Sequence, residues 1–126
     1  MKNEERRHVV AIADDDKRVL ESLGELLESA GYAVRLFDSA DAFLQANAVN
    51  EIDALISDIR MPGVDGIELQ RRMGTQRPQL PVILITARRD VDLTGVPQVN
   101  NRGVLRKPVD ASELLEALAT ALKGTA

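Results

Sequence analysis

The sequence predicts an α/β fold in which parallel strands alternate with helices. Short apolar runs are separated by segments whose apolar residues repeat at helical spacing, and this alternation is typical of successive β-α units. We place five strands near residues 9–13, 32–37, 54–58, 82–86 and 103–106. Right-handed crossovers would put helices on both faces of the sheet. We therefore expect one doubly wound domain over 1–126, with its core from about 8 to 123.

The strands differ in how continuously apolar they are. The first, third and fourth are unbroken apolar runs, as expected for strands buried on both faces of a parallel sheet. The second contains Arg35, and the fifth ends in Arg106. These two strands are therefore predicted to lie at the edges.

Helix signals occupy the segments between the strands. Capping residues are found at Asp16, Ser39, Asp65 and Asp110, and Gly31 follows the first helical pattern. The segment 88–101 should hold the fourth of five helices, but it contains Gly95 and Pro97. We expect that helix to be short or irregular.

Composition restricts the function. The 126 residues carry a net charge of -4 and no cysteine, which argues against direct nucleic-acid binding and excludes thiolate metal sites. No apolar stretch approaches the roughly 20 residues needed to cross a bilayer. The charged start of the chain is unlike a secretory signal. A cytoplasmic protein without membrane contact is the expectation.

Chemically useful residues follow four of the predicted strands. Asp14 and Asp15 follow the first, Asp58 ends the third, Thr86 ends the fourth and Lys107 follows the fifth. The carboxyl ends of parallel strands share one edge, where open α/β folds bind ligands. Carboxylates, a hydroxyl and an ammonium at one place suit a divalent cation and a phosphoryl group.

A magnesium ion would resolve the repulsion among the three carboxylates. Without a cation at least one of them would tend to keep its proton, whereas Mg²⁺ prefers carboxylate, water and phosphate oxygens. Alternatively, the acidic run 14–16 only caps the following helix, a role that we assign to Asp16 alone.

Asp58 is the candidate nucleophile, because a carboxylate that attacks a phosphoryl donor forms an acyl phosphate. Thr86 and Lys107 can then contact the phosphate oxygens and stabilise the developing charge. Taken singly, each of these residues has a simpler structural interpretation as a turn, strand or solvated residue. Their shared position at the ends of strands favours function.

At these residues the chain closely resembles the receiver domain of response regulators. The matching motifs are the acidic run 13–16, the loop 58–66, the strand 80–87 and Lys107-Pro108. The form Asp-x-Arg-Met-Pro-Gly is most similar to receivers of helix-turn-helix transcriptional regulators. The resemblance implies a flavodoxin-like sheet of five strands in the order 2-1-3-4-5.

The resemblance also implies a function in a histidine–aspartate phosphorelay. Asp58 would accept a phosphoryl group from a sensor histidine kinase or phosphotransfer protein, and the domain would act on no other substrate. The implied magnesium ligands are Asp15, Asp58 and the Arg60 carbonyl, with Asp14 acting through water. The implied phosphoryl contacts are Thr86, the Ala87 N–H and Lys107, with a cis peptide before Pro108. An output domain or protein partner and a homodimer are further possibilities of this family.

Two departures from the family pattern affect the expected readout. Val104 stands where the family usually has Phe or Tyr, and the Thr86–Lys107 spacing is shorter by about one residue. We expect signalling through a change in the segment 88–102 more than through rotation of one aromatic ring.

Two other functions are compatible with parts of the sequence. One is a pseudo-receiver that binds partners without being phosphorylated, which the departures favour but the intact site residues do not. The other is a phosphatase of the haloacid dehalogenase type. That class needs a second aspartate two residues after the nucleophile, where this chain has Arg60.

Overall fold

A parallel sheet forms the centre of the molecule. The computed structural model describes residues 7–86, 101–107 and 109–124. Its strands are β1 (Val9–Ala13), β2 (Ala33–Phe37), β3 (Ala54–Asp58), β4 (Val82–Thr86) and β5 (Asn101–Arg106). They lie in the order β2-β1-β3-β4-β5, and all neighbours are parallel. The predicted α/β class with a parallel sheet is confirmed.

Helices cover both faces of this sheet. In the described residues they are α1 (Lys17–Ser29), α2 (Ala40–Ala46), α3 (Gly66–Gln76) and α4 (Ala111–Gly124), with a 3₁₀ turn at Val49–Glu51. Leucines of α1 and α4 pack with the even-numbered residues of β1, such as Ile12. Phe43 of α2 and Leu69 of α3 pack on the opposite face. This alternation follows from the two-residue repeat of a strand.

The predicted caps form hydrogen bonds at the helix starts. Side-chain oxygens of Asp16, Ser39, Asp65 and Asp110 each accept from a backbone N–H two or three residues later. Such caps satisfy donors that the first turn of a helix leaves open. Gly31 has a φ of +99° just after α1, a conformation that glycine adopts without strain.

The β5 edge requires a correction to the sequence-based prediction. β5 begins at Asn101, two residues earlier than expected, so the end of the segment assigned to a fourth helix is strand instead. Its register with β4 shifts between the Val82–Asn101 and Leu84–Val104 pairs. β5 thus has one extra residue there, as in a β-bulge, which hydrophobic patterning does not reveal. The short or irregular helix expected before it falls on 87–100, outside the described residues.

No helix in the described parts of the chain has both the length and the apolar character required to cross a membrane.

Candidate phosphoacceptor site

Three carboxylates lie together at the carboxyl edge of the sheet. Ligand oxygens of Asp14, Asp15 and Asp58 are all within 4.8 Å of one another, and we refer to these residues as the acidic cluster. β1 and β3 are adjacent strands and end level with each other, at the Ala13–Ser57 pair. The shared strand edge therefore brings together the residues that the sequence predicted to converge.

The members of the acidic cluster differ in exposure. Asp14 is 1% exposed, Asp58 is buried and Asp15 is exposed. Asp14 is held by its own turn, because its Oδ1 accepts from the Asp16 N–H at 2.8 Å. Its Oδ2 is buried and forms an ion pair with the Lys107 ammonium. An inward carboxylate oxygen of this kind, beside two further carboxylates, fits a hard cation or its bound water.

Lys107 supplies the positive charge of the site. Its Nζ lies 3.2 Å from Asp14 Oδ2 and 3.6 Å from Asp58 Oδ2. Burial opposes the ammonium form, but the hydrogen bond and the charge of Asp14, together with Asp58, outweigh burial and raise the pKa of Lys107. Lys107 therefore stays charged and bridges the two buried carboxylates. The sequence predicted Lys107 at this site but not its ion pair with Asp14.

The surroundings of the Asp58 carboxyl disfavour its ionised form. Burial and then the negative charge of Asp14 raise its pKa to about 6, while Lys107 partly opposes this and Asp15 adds to it. A cation placed among the three carboxylates would favour the ionised form, which is the nucleophilic one.

Thr86 lies at the same edge, at the end of β4. It is buried, and its carbonyl accepts from the Lys107 N–H at 2.8 Å. This bond ties the ends of β4 and β5 together, so the hydroxyl-bearing residue and the ammonium-bearing residue are positioned as one unit. Ala87 and Pro108, to which the sequence assigned a phosphoryl contact and a cis peptide, lie outside the described residues.

The loop after β3 is anchored at both ends. The Ile59 N–H donates to the Ile85 carbonyl at 2.9 Å, and the Gly66 N–H donates to the Ile59 carbonyl at 2.8 Å. Ile59 and Met61 are buried, whereas Arg60 between them is exposed. This alternation fixes the backbone on both sides of Arg60, whose carbonyl was predicted to bind magnesium.

Ser57 was not singled out from the sequence. It is 0% exposed, and its Oγ donates to the Asp58 carbonyl at 2.9 Å. The available signal was a lone hydroxyl within an otherwise apolar strand, immediately before the candidate nucleophile.

Comparison with known proteins identifies the class. The family model of the response regulator receiver domain matches residues 10–119. The chain belongs to this family of two-component signalling domains, as its motifs indicated.

The similar proteins include transcriptional regulators, which confirms the expected similarity. The transcriptional regulatory protein FixJ of Bradyrhizobium diazoefficiens is 37% identical over 115 residues, covering 90% of this chain and 56% of FixJ. The response regulator protein TmoT of Ectopseudomonas mendocina is 36% identical over 121 residues, covering 94% of this chain and 54% of TmoT. The solved structure of the response regulator StyR has a TM-score of 0.87 at 35% identity, covering 95% of this chain and 61% of StyR. The chain spans about half the length of the curated relatives it matches.

Proposed function

We propose that this receiver domain takes a phosphoryl group onto Asp58 from the phosphohistidine of a sensor kinase or phosphotransfer protein. The observation that carries the proposal is the acidic cluster, with Lys107 Nζ 3.6 Å from the Asp58 carboxylate. A carboxylate beside a fixed ammonium and a cation site can attack phosphorus and have the developing charge neutralised. As a signalling module, the domain would catalyse only its own phosphorylation and dephosphorylation.

Each residue of the site would have a separate role in phosphoryl transfer. Asp58 would supply the attacking oxygen. The Lys107 ammonium would pair first with the Asp58 carboxylate and then with the transferred phosphoryl group. Thr86, at the end of the neighbouring strand, would donate its hydroxyl to a phosphoryl oxygen, together with the Ala87 N–H. These roles rest on the positions of Asp58, Thr86 and Lys107 at one edge of the sheet.

Magnesium is the proposed cofactor. Asp15, Asp58 and the Arg60 carbonyl would bind it, with Asp14 holding a bound water through its buried carboxylate. When bound, the ion would offset the mutual repulsion of the carboxylates and neutralise charge on the phosphoryl oxygens. We propose a cytoplasmic location, where phosphodonor kinase domains and Mg²⁺ are available.

The output of the domain is proposed from its relatives. FixJ is a transcriptional regulatory protein, and the chain covers 56% of its length. An output domain or a separate protein partner would therefore read the phosphorylated state, with a homodimer as one possible form. The predicted readout through 88–102 remains a proposal, since 87–100 lies outside the described residues.

Incubation with a small-molecule phosphodonor tests the function directly. We expect intact-mass measurement to show one added phosphoryl group with Mg²⁺ and none when a chelator replaces the metal. No adduct under any condition would favour the pseudo-receiver, and steady release of phosphate without an adduct would favour a phosphatase. Calorimetric titration of Mg²⁺ should give weaker binding in Asp15→Asn than in Asp38→Asn. Asp38 is a matched control because it is exposed and lies outside the acidic cluster.

A further inference from the structure

Ser57 places a hydroxyl where the strand would otherwise be apolar. Leu55 and Ile56 before it are fully buried aliphatic residues, and Ser57 is itself 0% exposed. A buried hydroxyl costs free energy unless it forms a hydrogen bond, so an aliphatic side chain would suit this core position better. The bond that it does form, to the Asp58 carbonyl at 2.9 Å, is made within the site and not to a distant element.

The peptide between Asp58 and Ile59 is held on several sides. Its N–H group, on Ile59, donates to the Ile85 carbonyl of β4 at 2.9 Å. Its carbonyl group, on Asp58, lies beyond the last register pair of β1 with β3, and Ser57 Oγ is its donor. Ser57 thus supplies a hydrogen bond to that carbonyl just past the end of the β1–β3 pairing.

Gly66 also lies against this peptide. A Cβ atom on Gly66 would collide with the Asp58 carbonyl oxygen and lie 2.9 Å from Ile59 Cα. The start of α3 therefore approaches the peptide as closely as a backbone can. The contact with Gly66 limits the access of water to the carbonyl on this side, so the Ser57 hydroxyl is not readily replaced there by a water donor.

We propose that Ser57 is a positioning residue for phosphoryl transfer, because its hydroxyl fixes the plane of the Asp58–Ile59 peptide. This inference rests on the proposed role of Asp58 as phosphoacceptor. The peptide plane sets the backbone from which the Asp58 carboxylate projects and the path of the chain to the Arg60 carbonyl. Reaction rates depend steeply on such alignment, so a small rotation here would slow the attack.

Two substitutions at Ser57 distinguish the effect of the hydroxyl group from the effect of side-chain volume. Ser57→Ala removes the hydrogen bond, and Ser57→Cys keeps a similar volume with only a weak donor. Ser29→Ala is the matched control, because Ser29 Oγ also donates to a backbone carbonyl, that of Leu26 at 2.8 Å, but at the end of α1. Each protein is incubated with Mg²⁺ and acetyl phosphate, and the rate of adduct formation is followed at increasing donor concentration.

We expect both Ser57 variants to lose about twofold to tenfold in maximal rate, the equivalent of one hydrogen bond, at an unchanged half-saturating donor concentration. Ser29→Ala should keep the wild-type rate. The Ile59 amide should also exchange its hydrogen faster in both Ser57 variants than in Ser29→Ala, without any phosphodonor present.

A wild-type maximal rate in Ser57→Ala or in Ser57→Cys would overturn the proposal. So would a loss confined to the half-saturating donor concentration, because that would indicate donor binding and not alignment. Failure of the proposed function gives a different result, since the wild-type protein itself would then take up no phosphoryl group.

Discussion

At the residue scale, Asp58 combines a buried position with an ionisable group. Its pKa is raised to about 6 from 3.8, first by burial and then by Asp14. The folded protein therefore binds this proton more tightly than the unfolded chain does. As a result, this group lowers the free energy of unfolding as the pH rises from about 4 to above 6. The resulting loss in the free energy of unfolding reaches its full value above the pKa that Asp58 has in the folded protein.

Asp58→Asn should remove this pH-dependent loss in the metal-free protein. We expect the variant to be more stable than wild type at pH 7.5 by on the order of 1 kcal/mol, allowing for solvent screening. The difference should shrink as the pH falls towards 4, where the carboxyl of the folded wild-type protein is neutral. Urea unfolding between pH 4 and 8 measures it, with Asp38→Asn as control. Parallel stability profiles for wild type and Asp58→Asn would contradict the assignment of the raised pKa.

Gln70 is also a buried polar residue, but it lies in α3 outside the site. It is 0% exposed, and neither its Nε2 nor its Oε1 has a hydrogen-bond partner in the described structure. We predict that Gln70→Leu raises the free energy of unfolding by about 1–3 kcal/mol, because it removes two unsatisfied polar atoms at similar volume. Chemical denaturation measures the change. Gln76→Leu, at an exposed position of the same helix, should leave it within about 0.5 kcal/mol. Destabilisation by Gln70→Leu would show that the amide is satisfied in solution.

At the element scale, the β3–α3 junction depends on the absence of a side chain at Gly66. The Asp58 carbonyl and the Ile59 Cα occupy the space that a Cβ would need, and both belong to backbone that cannot yield cheaply. This contact determines how closely α3 approaches β3.

Gly66→Ala should therefore destabilise the fold and slow phosphorylation, although alanine is the better helix former. We expect a loss of at least about 2 kcal/mol in the free energy of unfolding. Gly24→Ala is the matched control within α1, where a Cβ would only meet Leu36 at an ordinary 3.4 Å. That control should be neutral or gain up to about 1 kcal/mol from helix propensity. Thermal unfolding of both variants measures the difference in stability. Equal stabilities would show that the backbone around Gly66 can accommodate a Cβ.

The elements that were predicted well are those with strong local signals. Continuous apolar runs identified β1, β3 and β4, and a single oxygen-bearing residue at each cap identified the helix starts. β5 was placed too late because its bulge depends on pairing with β4, which no local pattern encodes. Lys107 was predicted as a site residue from its position after a strand. Its bridge between Asp14 and Asp58 depends on the ends of three different strands meeting in space.

At the scale of the whole molecule, the interior of the sheet and its carboxyl edge have different roles. Aliphatic side chains on both faces give a rigid platform, and the carboxyl edge collects the charged groups. Sequence patterning predicted this division because strand ends are where apolar runs stop. Buried polar groups such as Ser57 could not be interpreted in the same way, because their role depends on which backbone atoms lie opposite them.

Asp58 is the residue proposed to receive the phosphoryl group. The most direct test is intact-mass measurement of wild type, Asp58→Asn and Asp38→Asn after incubation with Mg²⁺ and acetyl phosphate. We predict a single phosphoryl adduct on wild type and on Asp38→Asn, and none on Asp58→Asn, because an amide cannot form an acyl phosphate. An adduct on Asp58→Asn that forms at the wild-type rate would contradict the account.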